Sequence, residues 1–317
     1  MLSRVADSLY WMSRYLERAE HTARLIDVDL QLQLEQSPEM DGARSLRLLA
    51  ASHAAAATTA SDSASLTQML TFDRTNPSSI VSCVACAREN LRQVREQCSS
   101  EMWEQLNRLY LQIVTTAGEA RAVNAHVFYR AVQEGAHLFQ GITDATMTHG
   151  QGWHYIQLGR YVERTDLLAT VVGTHFAHLP HFLNQAVESE EYLEWVGLLK
   201  SCSAFEAYCK AYTAELRALR VAEFLLLNAE FPHSILFSMD KMHAALLAIA
   251  QLTDRKADEA IRLTGRLRAT LGYSQIEEVV ANGATLYMES IRAQCAQAHA
   301  AIHQIYFDYP VETALAS

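Results

Sequence analysis

Two arginines flank a glutamate at two places in this chain of 317 residues. The first set is Arg14, Glu17 and Arg18, and the second is Arg160, Glu163 and Arg164, at an offset of 146. Tyr15 and Tyr161 also coincide at that offset. A glutamate can serve as a general base, and a guanidinium is a planar fork that grips carboxylate or phosphate with two N–H bonds. Glu17 and Glu163 are therefore the candidate catalytic groups. Arg14, Arg18, Arg160 and Arg164 are the candidate ligand-binding groups. The same residues also fit a solvated charged face, or buried ion pairs between two repeats. Recurrence of the set marks a duplicated unit.

Long helices must carry both sets. Val5, Leu9, Met12, Leu16, Ala19, Ala23, Ile26 and Leu30 follow one another in steps of four and three, which is an a/d heptad seam. Leu158, Val162, Thr165, Ala169, Val172 and Phe176 continue the same phase in the second copy. At about 100° per residue, Arg14, Glu17 and Arg18 lie on the side of the helix away from the seam. Asp7, Tyr10 and His21 share that side.

A second group of candidates follows the loop Thr71 to Thr75. Asn76 reads as an N-cap with Pro77 at the first helical position. Asn76, Ser78 and Ser79 surround the first turn, where free N–H groups favour an anion. Arg88 lies further along the same predicted helix, Ile80 to Gln97. A carboxylate or phosphate ligand held between this turn and the Arg14/Arg18 face is one expectation, and ordinary capping with surface charges is the other.

Glycine (12) and proline (5) are scarce, and helix formers dominate. The expected fold is all-α. The net charge of −10, with no lysine/arginine cluster, argues against nucleic acid. The most apolar stretch, Leu167 to Leu179, is too short to span a bilayer, and no signal-peptide pattern opens the sequence. Six cysteines spread over the chain suit a reducing compartment, so a cytoplasmic protein is expected. Cys83 and Cys86 have C-x-x-C spacing but stand alone within a helix. His175, His178 and His181 lack the H-E-x-x-H pattern and are interrupted by Pro180. With no phosphate loop and no G-x-G-x-x-G, no metal or cofactor is expected, and ATP only through a partner.

Punctuation divides the chain at His149-Gly150-Gln151-Gly152. Before it lie helices over 2–36, a low-specificity stretch over 46–70, the helix from Ile80, one beginning at Glu101, and two more over 106–147. Beyond it, Glu188 to Leu227 reads as helical, and Ser274 with Glu277 as a capping box for the last helix. Asn228 to Ile235 answers Asp73 to Ile80 at an offset of 155. The expectation is two pseudo-symmetric helical bundles, 1–149 and 150–317, from an internal duplication.

The residues Arg14-Tyr15-Leu16-Glu17-Arg18-Ala19-Glu20, Asn76-Pro77-Ser78-Ser79-Ile80, Ala87-Arg88-Glu89-Asn90, Glu101-Met102-Trp103-Glu104 and Arg160-Tyr161-Val162-Glu163-Arg164-Thr165-Asp166 resemble the bacterial alpha-E domain family. That resemblance covers essentially the whole chain. It implies an all-helical protein encoded beside circularly permuted ATP-grasp ligases and transglutaminase-like proteases. The implied setting is peptide synthesis or modification by ATP-dependent amide ligation. Three roles stay open at this point: a partner or substrate-presenting subunit of the ligase, a transferase or ligase component in its own right acting on a peptide or amino acid, and a structural scaffold, any of them as an oligomer.

Overall fold

The computed structural model describes residues 1–35, 63–118, 125–178, 189–212, 215–253 and 257–307. Among them every regular element is helical, and none is long and apolar enough to cross a membrane. The elements are α1 (Ser3–Glu35), α2 (Ser63–Thr71), α3 (Ile80–Gln93), a 3-10 turn (Arg95–Gln97), α4 (Ser100–Gly118), α5 (Ala125–Thr146) and α6 (Gln151–His178). They continue as α7 (Ser189–Ser201), α8 (Phe205–Tyr212), α9 (Ala218–Leu227), α10 (Ile235–Gln251), α11 (Asp258–Tyr273), α12 (Ile276–Ala281) and α13 (Ala284–Tyr306).

The heptad seams are buried in both long helices. Leu9, Met12 and Ile26 of α1 and Leu158, Ala169 and Val172 of α6 are all fully buried. A buried leucine of this kind contributes about 2 kcal/mol. The far face of α1 is buried too, including Arg14, Glu17, Glu20 and His21. The reason is position. α1 packs on α3, α5, α6 and α7, and α6 packs on α1, α10 and α13, so the two longest helices form the middle of the molecule. Around them α4 joins α3 to α5, and α11 joins α10 to α13.

α1 and α6 touch at backbone distance. A Cβ on Gly159 would lie 2.2 Å from the Tyr10 carbonyl oxygen and 2.3 Å from Ser13 Oγ. Ser13 Oγ in turn donates to the Tyr10 carbonyl at 2.9 Å, so the small side chain folds back onto its own helix and leaves room for the neighbour.

Several local expectations are corrected. Asn76 does not cap the next helix; its Oδ1 accepts from the Ser78 N–H at 3.0 Å in a local turn, and Ser79 caps α3 by accepting from the Ser82 N–H. That helix stops at Gln93, ahead of the 3-10 turn. The 106–147 stretch is the continuation of α4 followed by α5. The stretch from Glu188 to Leu227, read as helical, is divided among α7, α8 and α9. Ser203 turns the chain with a φ of 54°, a left-handed conformation that ends a helix. Ser274 forms no capping box: its hydroxyl donates to the Thr270 carbonyl, and the last helix begins after Gly283, whose φ of 96° suits glycine. The low-specificity stretch falls largely outside the described residues, which resume at α2.

The close approach has a measurable consequence. Gly159→Ala should force α1 and α6 apart and lower the unfolding free energy by about 3 kcal/mol. Gly141→Ala meets nothing within 4 Å inside α5 and should raise stability by about 0.5–1 kcal/mol. Urea unfolding of the two variants checks this; equal effects would remove the contact from its central place.

Candidate functional site

The two arginine–glutamate sets meet face to face. Glu163 of α6 accepts from Arg14 Nε at 2.7 Å on Oε2 and from Arg18 Nε at 2.6 Å on Oε1, both from α1. Glu17 of α1 accepts from Arg164 Nε at 2.5 Å and Nη2 at 3.0 Å, a two-pronged grip from α6. Each helix thus gives a carboxylate to the other's guanidiniums. Glu163 and Glu17 are 2% and 3% exposed at the side chain. These are interior ion pairs, and the reading of this face as solvated does not hold.

The neighbours differ at the two ends. Arg14 also donates Nη1 towards the Tyr10 hydroxyl at 3.4 Å, and lies 3.2 Å from both ring nitrogens of His299 on α13. Tyr10 OH and His299 Nδ1 are 2.8 Å apart, and the two rings are stacked. The Trp11 ring lies 4.6 Å from the Arg14 guanidinium. At the other end, Gln140 of α5 donates to Glu17 Oε2 at 3.2 Å, and Arg164 Nη1 donates to the Pro232 carbonyl at 3.1 Å. Arg160 has no glutamate. Its Nη1 donates to Gln157 Oε1 at 3.3 Å on its own helix.

Charge follows contact. Burial by itself pushes the Glu163 carboxyl up, and the Arg14 and Arg18 guanidiniums outweigh it, holding the group down at about 2. Burial, then the Arg14 charge, pushes His299 down to about 4, so its ring is neutral at pH 7. Burial raises the Tyr10 hydroxyl to about 12. Below the cluster, Glu20 is held well under the usual carboxylate range. Burial opposes that shift, and Arg24, His137 and His233 overcome it.

The other sequence candidates lie apart. Asn76, Ser78 and Ser79 are engaged in the local turn and cap. Arg88 turns towards α4, donating Nε to Asn107 Oδ1 at 2.7 Å between the rings of Trp103 and Tyr110. Among the described residues no hydrogen bond or ion pair joins these residues to Arg14 or Arg18. Cys83 is fully buried and burial raises its thiol to about 12, while Cys86 is half-buried. No group of three or more His, Cys, Asp or Glu among the described residues is arranged to hold a metal. His181 lies outside those residues. Sequence reasoning missed His299 and Gln140, which arrive from distant helices without a local signal. Gly159 did carry one, as a single glycine within a helical repeat.

A family model for a predicted alpha-helical domain with a conserved ER motif matches residues 1–307. The chain belongs to the Alpha-E family. Glu-Arg dipeptides occur in this chain at Glu17-Arg18 and Glu163-Arg164. Similar curated proteins are an uncharacterized protein of Mycobacterium bovis and two of Mycobacterium tuberculosis. Each is 25% identical over 328 residues, covering 95% of this chain and 35% of the relative. The Alpha-E chain thus spans about a third of the length of these relatives. No solved structure matches it.

Breaking one side of the exchange should be costly. Glu163→Gln leaves Arg14 and Arg18 buried without a counter-charge, so at pH 7 the unfolding free energy should fall by about 3–5 kcal/mol. The pH dependence has the same origin. A carboxyl held near 2, against an ordinary 4.5, contributes stability that is fully present above 4.5 and is lost as pH falls towards 2. Urea unfolding at pH 7, 4 and 3 should show wild type losing part of its stability over that range, while the variant changes less. Full stability of the variant would rule out the pairs as a structural clamp.

Proposed function

We propose that this Alpha-E domain is a helical partner module of an ATP-grasp-type ligase in a cytoplasmic peptide synthesis or modification system, with the ER motifs as its internal clamp. The observation carrying this reading is the reciprocal exchange itself. Glu17 and Glu163 are occupied by guanidiniums from the opposite helix, which leaves the outer surface for recognition. The length of the relatives supports it, because in them the matching region is part of a chain with ample sequence for another domain. A partner that supplies the nucleotide site fits a chain with no phosphate-loop pattern of its own. A transglutaminase-like protein is a further candidate partner, and a peptide or amino acid the candidate substrate.

A second reading keeps Glu17 or Glu163 as a general base and the arginines, with Asn76, Ser78, Ser79 and Arg88, as ligand-binding groups. Its support is the excess of arginine over glutamate in the cluster. That reading requires α1 and α6 to separate, or a ligand to displace one guanidinium.

The order of packing supports the internal duplication. α1, α3, α4 and α5 neighbour one another as α6, α10, α11 and α13 do, with 1–149 and 150–317 as the two units. Superposing the two sets of helices tests it: α1 should fall on α6 with Glu17 on Glu163, and unrelated chain paths would reject it.

The partner reading is tested by calorimetry with a purified ATP-grasp-type ligase from the same cell. Binding at micromolar affinity or better is expected, equivalent to about −8 kcal/mol. No heat and no co-elution, or ATP turnover by this chain alone, would favour the second reading.

A further inference from the structure

Charge does not balance at the clamp. Arg14, Arg18 and Arg164 are paired with Glu17 and Glu163, while Arg160, the fourth arginine of the two sets, meets neither glutamate. Three of the four guanidiniums hold a carboxylate. Arg160 is 6% exposed and, among the described residues, has no carboxylate within ion-pair distance. A buried arginine in that state is unfavourable, because its desolvation is not offset by a counter-charge. Consistent with this, burial and the neighbouring Arg164 charge push its pKa below the usual arginine value.

The position of the missing partner is open to water. Arg160 Nε and Nη2 make no bond within the described residues, and neither is a fully sealed donor, so both keep some contact with solvent. Gln140 and Asp144 of α5 bond to Glu17 and Gln157, the first on α1 and the second one turn before Arg160. Gln140 is anchored on Glu17, and Asp144 accepts from Gln157 Nε2 at 3.3 Å, which fixes the side chain that Arg160 holds. Glu17 cannot fill the place, since Arg164 occupies both of its oxygens.

We propose that Arg160 is the base of an anion subsite that takes an oxyanion, a carboxylate or a phosphate, beside the Gln157–Asp144 bond that links α6 to α5. The two free donors offer the side-on fork that such groups accept. Arg164 adds positive field from one turn further along α6. This inference goes beyond the clamp and does not depend on the ligase partner, since the chain alone is sufficient for binding.

The test is a titration of the full chain with inorganic phosphate and, separately, with succinate, against sodium chloride at matched ionic strength. A saturable rise in melting temperature with one or both anions, absent with chloride, is expected, and the arm that responds distinguishes phosphate from carboxylate. Arg160→Gln should weaken that binding at least tenfold while melting close to wild type in chloride. As a check that needs no stable glutamine variant, the Arg160 Nε–H resonance of wild type, assigned by its loss in Arg160→Lys, should shift saturably with the same anion. No saturable response to either anion, an unchanged response in Arg160→Gln, or a stationary Arg160 resonance would overturn the proposal. The partner titration with the ligase is read independently, so failure of one leaves the other standing.

Discussion

The exchange of charge between α1 and α6 is the constraint on which the rest of the structure depends. Each helix carries a glutamate that only the other helix can neutralise. Such pairs contribute little net energy, because desolvation offsets most of the attraction, but they are severe about register. A shift of one residue along either helix would leave a buried carboxylate against apolar atoms. The Gly159 contact acts in the same direction, since only a residue without a side chain lets α6 come this close to the Tyr10 carbonyl. The apolar seams supply the driving force, and the charges select the one alignment in which it is collected.

The clamp is symmetric in plan and asymmetric in detail. At one end the arginine three residues before the glutamate, Arg14, has a glutamate of the other helix, a tyrosine and a neutral histidine around it. At the other end its counterpart, Arg160, has a glutamine from its own helix. Gln140 takes a bonding place on Glu17 that an arginine fills on Glu163. The two sets together hold four arginines and two glutamates, in a protein whose overall charge is −10.

The surroundings of the clamp show how an all-helical body satisfies buried polar groups without strands or loops crossing the core. Arg164 reaches the Pro232 carbonyl just before Ser234 caps α10, so the clamp also fixes where that helix begins. Arg14 reaches α13 through His299, tying the last helix to the first. Long arginine side chains bridge layers that backbone hydrogen bonds cannot, because helical backbone groups are already spent within their own helix. The chain belongs to the Alpha-E family and spans about a third of the length of the curated relatives it matches.

The sequence alone determined the helical class, the extents of α1 and α6 and their heptad seams. These are local properties: spacing sets the face, and propensity sets the element. It also marked Ser79 and Ser234 as recurring helix starts, though it set the cap three residues early, at Asn76, because a turn residue and a cap residue look alike when the next hydrogen bond is unknown. Only the tertiary structure decided that the charged face is interior, since periodicity says which residues share a side of a helix and not what covers that side. The roles of His299 and Gln140 were equally out of reach, as both come from helices more than a hundred residues away from the glutamates or arginines they meet on α1. That Arg160 is the arginine left over is likewise a fact of three dimensions: four equivalent guanidiniums in sequence become three paired and one open only when distances assign the two carboxylates.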